Sequence, residues 1–355
     1  MRVLITGTDG YIGCLMAPHI AAAGHDVVGL DTGYFRDAQL GAEPFSAFRT
    51  ITKDVRLVTR DDLDGIDAVI HLAGLSNDAL GELSRRVTFD INHRATMRLA
   101  ALCKTAGISR FVYASSCSIY GKSSADIVDE QSPFDPQTDY AVCKMLDERE
   151  LSDLADDTFS PTFLRNATAY GASPRMRFDL VVNNLAALAW TTNKIAMVSD
   201  GTPWRPIVHV LDICRAFRAS LEAPREAIHD RVFNVGRTDE NYQIRDIAAT
   251  IARVFPNCAV SFGKSDPDQR SYRVSFDRVS TELPGFSCEW DLVKGSTQLR
   301  DLYEQTGMTE ELFRHRPFTR IKQLQHLLST AQIDSEFYWT APAGRTRAAE
   351  LAQHA

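Results

Sequence analysis

The sequence predicts an α/β protein in which a doubly wound parallel sheet is followed by a smaller C-terminal α/β lobe. Three observations predict it. Short β-branched runs alternate with amphipathic segments of ten or more residues as far as about residue 170, as a parallel sheet with crossover helices requires. A glycine-spaced turn lies between the first such run and the first helical segment. Beyond residue 171 the alternation gives way to loops rich in proline and arginine, the pattern of a less regular unit.

Taken in order, strands are expected at residues 2–6, 26–30, 68–72, 111–115 and 162–165, each a short β-branched or aromatic run. Pro18 falls inside the first helical segment; it withholds a backbone donor and predicts a local kink. The second half carries helical segments at 180–190, 211–221 and 244–255, with strand candidates at 231–235 and 259–262. Residues 1–170 are thus read as the sheet domain and 171–340 as the lobe with a helical extension. The Ala- and Arg-rich stretch 341–355 is expected to fray. In the extension, Leu324, Leu327, Leu328 and Ile333 with Phe337-Tyr338-Trp339 form an apolar stripe. Docking on the body of the protein is its expected role; a cover for a ligand or a subunit contact are the alternatives.

Composition narrows the function. With 355 residues, 44% hydrophobic and 24% charged, the chain can build its own core and is neither disordered nor a disulfide scaffold. The apolar stretches at 66–74 and 185–190 fall well short of the roughly 20 residues that cross a bilayer, so no membrane partner is expected. Arg2 is followed directly by strand-like Val3-Leu4-Ile5, so no export signal is expected and the location is read as cytoplasmic. Cys14, Cys103, Cys117, Cys143, Cys214, Cys258 and Cys288 are scattered without a C-x-x-C pair, which predicts neither disulfides nor a metal site. A net charge of −7 with no basic run argues against a nucleic-acid partner. It is compatible with a small anionic ligand held by a few arginines.

The first chemical motif is Thr6-Gly7-Thr8-Asp9-Gly10-Tyr11-Ile12-Gly13. Glycines at this spacing between strand and helix let backbone N–H groups approach a pyrophosphate and let the helix pack on the sheet, while the helix N-terminus favours the phosphate charge. Asp31 follows about twenty residues later, at the end of the next strand. There a carboxylate accepts from the adenosine ribose and repels a 2′-phosphate, favouring NAD over NADP. Asp54-Val55 is the candidate adenine contact, with an exposed loop aspartate as the alternative.

The second is Ser115-Ser116-Cys117-Ser118-Ile119-Tyr120-Gly121 at a strand end, followed by Tyr140-Ala141-Val142-Cys143-Lys144. A four-residue spacing puts Tyr140 and Lys144 on one helix face, where the ammonium favours an ionised phenol and makes it a proton acceptor. In isolation such a pair is usually a solvated helix face; beside a dinucleotide turn and a serine cluster it reads as catalytic.

The segment Thr6 to Gly13, with Asp31, His71-Leu72-Ala73-Gly74, Asn92, Ser116, Tyr140-x-x-x-Lys144 and Arg205-Pro206-Ile207-Val208-His209-Val210-Leu211-Asp212, resembles the extended short-chain dehydrogenase/reductases that act on nucleotide sugars, the epimerase/dehydratase group. The resemblance spans about residues 1–280. It implies a Rossmann-type domain interleaved with a substrate-binding lobe, so that strands from about 205–240 rejoin the first domain. It also implies bound NAD, a nucleotide-diphosphate sugar as substrate, and a homodimer. Carried over residue by residue, it makes Tyr140 the base, Lys144 the holder of the nicotinamide ribose, and Ser116 the hydrogen-bond donor to the oxygen that becomes a carbonyl. Cofactor contacts are implied for Gly7, Gly10, Tyr11, Ile12, Gly13, Asp31, Asp54, Val55, Leu72, Ala73, Gly74, Asn92, Tyr140 and Lys144. Substrate contacts are implied for Ser116, Cys117, Ser118, Thr168 and Arg205 and for Asn183 in the pair Asn183-Asn184, where a cap or turn role is the alternative, with Arg270 and Arg273 on the far side of the ligand; surface arginines are the alternative for those two.

Departures from the family pattern bear on the reaction. Dehydratases of the group carry an Asp-Glu pair where this chain has Cys117-Ser118, and elimination of water needs such an acid and base. Cys117 reads as a small core residue more readily than as a thiol catalyst. Reductases of the group favour NADPH, against which Asp31 argues. An epimerase through a transient keto-sugar, hypothetically at C4, is therefore the leading reading. Thr168, where many epimerases have asparagine, puts the substrate contacts there in question. The alternatives are a dehydratase or ketoreductase of the same family and, from another class, a non-catalytic dinucleotide-binding regulator.

Overall fold

A computed structural model describes residues 1–41, 48–76, 83–122, 126–264 and 270–340; the segment expected to fray, 341–355, lies outside the described residues, as do Asp268 and Gln269 beside Arg270. Twelve strands are described: β1 Arg2–Thr6, β2 Asp26–Asp31, β3 Arg49–Thr52, β4 Ala68–His71, β5 Arg110–Ser116, β6 Ser160–Asn166, β7 Thr168–Tyr170, β8 Lys194–Ala196, β9 Trp204–His209, β10 Arg231–Val235, β11 Asn241–Gln243 and β12 Ala259–Ser261. Seven form one parallel sheet in the order β10-β6-β5-β4-β1-β2-β3. The chain winds outward from β1 in one direction and from β4 in the other, so a crevice opens at their C-terminal ends, the switch point where such sheets bind ligands.

Both faces of the sheet are covered. Val3 and Ile5 pack with Met16, Ile20 and Phe217 on one side, and Leu4 packs with Val69, Leu99 and Phe111 on the other. This two-sided burial explains why the central strands read as continuous apolar runs. It also explains why β3 escapes the sequence reading: its Arg-Thr-Ile-Thr is mostly exposed and, among the described residues, pairs only with β2, and edge strands carry little apolar signal. The helix Gly13–Ala22 continues through the half-buried Pro18.

Between β6 and β10 the chain leaves the sheet and builds most of the lobe. Here β9 joins β7 and β11 in a three-stranded sheet, and β8 pairs with β12. Of the segment 205–240, therefore, only β10 joins the large sheet, parallel to β6. The lobe has its own core of Phe178, Ala186, Ile207, Ile247, Tyr303 and Phe318. The apolar stripe of the extension docks on the body: Leu324, Leu327, Ile333 and Phe337 share a core cluster with Tyr34, Val55 and Leu63. Polar ties fix it over the loop after β2, where Gln323 Nε2 donates to Tyr34 O at 3.0 Å and Trp339 Nε1 to Thr32 O at 2.8 Å. Among the described residues, no helix is long and apolar enough to cross a membrane, and no group of His, Cys, Asp or Glu is placed to hold a metal ion.

Candidate active site

A cavity of about 670 Å³ runs along the switch-point crevice, from Asp31 past the glycine turn to Tyr140 and on to Arg205 and Arg270 in the lobe. At its floor the turn is as tight as the spacing predicts. A Cβ on Gly13 would sit 2.0 Å from Gly7 O, and Gly7 itself has φ +82° with Ala73 N 3.0 Å from the place of a Cβ, so neither position admits a side chain. Behind the turn, Thr6 Oγ1 contacts His71 Nδ1 at 2.7 Å and accepts from Leu72 N and Ala73 N at 3.2 Å each, locking the ends of β1 and β4 together. Burial pushes the His71 imidazole down to about 3, so this lock is uncharged at neutral pH.

Asp31 ends β2 with its carboxylate accepting from Asp9 N at 3.0 Å and Gly33 N at 2.7 Å. Burial and the adjacent Asp9 raise it to about 6. A nearby cation, Arg36, the residue type that would welcome a 2′-phosphate, is held instead by Asp9 at 2.7 Å and Thr52 at 2.6 Å. Leu72, Ala73, Gly74, Asp54 and Val55 also line the cavity, although the Asp54 carboxylate is bonded to Arg56, with Oδ2 accepting from Nη2 at 2.6 Å. Asn92 does not reach the wall. Its amide exchanges hydrogen bonds with Leu75, accepting at 2.7 Å and donating at 3.0 Å, and so shapes the 72–75 loop from behind.

Tyr140 and Lys144 stand in the first turns of the helix Asp139–Asp153, whose start is capped by Thr138 Oγ1 accepting from Ala141 N. The Lys144 ammonium lies 5.7 Å from the Tyr140 ring centre, and both line the cavity together with Ser116 and Ser118. Lys144 Nζ donates to Ala114 O at 2.6 Å and to Tyr113 Oη at 2.9 Å. Tyr113 Oη in turn donates to Asp147, whose other oxygen meets His93 Nδ1 at 2.7 Å. A π-helical turn at Asp90–Arg94 presents both Asn92 and the half-buried His93, so one local irregularity supports, from behind, both the 72–75 loop and the Asp147–Tyr113–Lys144 chain. Burial pushes Lys144 down to about 8, and the Asp147 charge opposes that shift.

The structure corrects three expected substrate contacts. Cys117 is buried, is absent from the cavity wall, and donates to Arg165 O at 3.1 Å, because the chain turns at Ser116 and carries the next side chain back into the core. Asn183 is fully buried, bonding Gly171 N at 3.0 Å, Tyr11 Oη at 3.2 Å and Arg177 O at 3.1 Å; its neighbour Asn184 faces the cavity instead. Arg273 lies off the wall, stacked 4.9 Å from the Trp204 ring and paired with Asp126. Thr168, Arg205 and Arg270 do reach the cavity. Sequence reasoning missed Arg177, paired with Asp179 at 2.8 Å and bonded to Ser76 at 3.0 Å, and Arg320 of the extension.

A doubly wound sheet with a glycine turn at its switch point, an acidic residue on the next strand, and serine, tyrosine and lysine on one wall defines a dinucleotide-dependent α/β enzyme. Comparison with known proteins makes the class particular. Residues 3–236 match the family model "NAD dependent epimerase/dehydratase family", and the chain belongs to that family, with NAD as its cofactor. It is 27% identical over 286 residues to the UDP-glucose 4-epimerase of Bacillus subtilis, an alignment covering 72% of this chain and 82% of the relative. The UDP-glucuronic acid 4-epimerase of Bacillus cereus, solved with UDP-glucuronic acid and NAD, superposes with TM-score 0.73 at 25% identity, covering 86% of this chain and 99% of that one. An NDP-hexosamine 5,6-dehydratase of tunicamycin biosynthesis shares the fold at TM-score 0.76 and 23% identity, covering 86% and 98%.

Proposed function

We propose that this chain is an epimerase of nucleotide-diphosphate sugars working through a transient keto-sugar. The observation that carries the reading is the wall itself: Ser116, Tyr140 and Lys144 converge there, while no carboxylate follows Ser116. Tyr140 takes the hydroxyl proton, and Ser116 donates to the oxygen that becomes a carbonyl. Lys144 contributes positive charge that stabilises a phenolate. NAD, when bound, supplies the acceptor that takes the hydride and returns it. Among the described residues, the carboxylate on the lobe side of the cavity is Asp179, which is engaged by Arg177, and this disfavours it as the free acid or base that dehydration needs. Arg205 and Arg270 supply cationic forks for a diphosphate. We propose a homodimer in the cytoplasm as its setting.

The test is incubation with a panel of nucleotide sugars and NMR identification of products. An epimer with unchanged mass supports the proposal. A product lighter by one water makes the chain a dehydratase, and NAD binding without turnover across the panel makes it a regulator.

Two further results are expected. In Asp147→Asn the charge that holds Lys144 up is lost, so the ammonium, already near 8 through burial, deprotonates at still lower pH. The alkaline limb of the kcat/KM profile then moves down by about one pH unit. An unmoved limb would detach Lys144 from the pH dependence. In Asp31→Gly, loss of the ribose acceptor weakens NAD about tenfold while NADP changes little, measured by titration calorimetry; equal weakening of both would remove Asp31 from cofactor choice.

A further inference from the structure

Arg320 is 2% exposed and lines the cavity. Its guanidinium donates to Pro317 O at 3.1 Å and Arg175 O at 3.0 Å and lies 4.4 Å from the Phe35 ring centre. Among the described residues it forms no ion pair. A buried cation is ordinarily paired, because desolvation penalises an isolated charge heavily. The carboxylates within its electrostatic reach are already engaged: Asp179 by Arg177, and Asp31 by two backbone N–H groups. Burial and the neighbouring Arg177 push Arg320 down to about 9, a second sign that its positive charge is uncompensated.

Its place in the chain sharpens the anomaly. Arg320 is the first residue of the helix Arg320–Ser329, and a cation at a helix N-terminus opposes the helix dipole. Two unfavourable terms at one point call for an anion. The surroundings say which anion. Phe35 belongs to the loop after β2, Cys14 lies in the first turn of the helix behind the glycine turn, and Asp31 ends β2. Arg320 therefore borders the gap between the helix that receives phosphate and the acceptor for the adenosine ribose. In a bound dinucleotide that gap holds the pyrophosphate.

We propose that Arg320, delivered by the C-terminal extension, is a charge partner of the NAD pyrophosphate, and that the extension thereby completes the cofactor site. The ties of Gln323 to Tyr34 and Trp339 to Thr32 keep the arginine seated, so the ligand meets a preorganised cation. The inference rests on NAD as the cofactor and is independent of which sugar reaction follows.

The experiment uses cofactor-stripped full-length protein, wild type and Arg320→Met, titrated calorimetrically with NAD, ADP-ribose and adenosine, with thermal unfolding recorded alongside. Arg320→Met is expected to weaken NAD and ADP-ribose in parallel by about tenfold to a hundredfold, to leave adenosine binding unchanged, and to leave the ligand-free protein at least as heat-stable as wild type. Arg320→Lys is expected to recover part of the affinity. NAD affinity within twofold of wild type overturns the proposal. So does equal weakening of adenosine. A drop in ligand-free stability with an unchanged NAD-induced shift assigns it a structural role. Failure of the wild type itself to bind NAD would instead defeat the cofactor assignment, a distinguishable result.

Discussion

Tyr140→Phe is expected to lower kcat by about 10³-fold while NAD binding and unfolding temperature stay near wild type, because the change removes the one hydroxyl proposed to take the substrate proton. The ring stays, and with it the contact to the Lys144 ammonium at 5.7 Å. Single-turnover formation of enzyme-bound NADH, followed by absorbance, is the sensitive readout, since it isolates oxidation of the sugar from later steps. A variant with more than a tenth of wild-type turnover would show that another group takes the proton, and the catalytic reading of this wall would fail.

The second large effect is on stability. Glu148 and Arg165 form a buried pair, with Nη2 donating to Oε2 at 2.6 Å and both side chains less than a tenth exposed. Glu148 also accepts from Ser115, and Arg165 donates to Tyr120 Oη at 2.8 Å, whose hydroxyl donates to Asn234 Oδ1 at 2.7 Å. The pair thus braces β5 and β6 behind Ser116 and reaches β10. Glu148→Ala leaves the Arg165 charge buried without its carboxylate, and unfolding free energy is expected to fall by about 3–5 kcal/mol in urea titrations. The double variant Glu148→Leu, Arg165→Met is expected to recover much of that loss. By contrast Glu310→Ala, which breaks the exposed pair with Arg314, is expected to cost less than about 1 kcal/mol. Similar losses in the two single variants would contradict the role assigned to burial.

The residues legible in the sequence are those whose function depends on local spacing. The glycine turn, Asp31 at a strand end, and Tyr140 with Lys144 one helical turn apart are each fixed by a few consecutive positions, and the structure sets all of them on one cavity. Spacing does not say which way a side chain points once a strand turns. Cys117 faces inward, as its reading as a small core residue has it and against the substrate contact the resemblance implies, and of the Asn183-Asn184 pair Asn183 is buried while Asn184 faces the cavity. Arg177 and Arg320 were illegible for a different reason. They reach the cavity from a loop and from the extension, through packing between segments far apart in the chain, and a single arginine carries no spacing signal for such a contact. The edge strand β3 and the short lobe strands β7, β8 and β11 escaped because runs of three or four residues are too short to show an alternation, whether or not they pair.

The return of β10 to the large sheet limits how this protein can be dissected. Because β6 is buried along its whole length and parallel to β10, a fragment ending near residue 170 would present bare N–H and C=O groups along an apolar margin, a template for intermolecular pairing. Such a fragment is expected to precipitate and not to survive as a self-sufficient dinucleotide binder. Insertions or circular permutations that keep β6 beside β10 are the ones a protein engineer should favour.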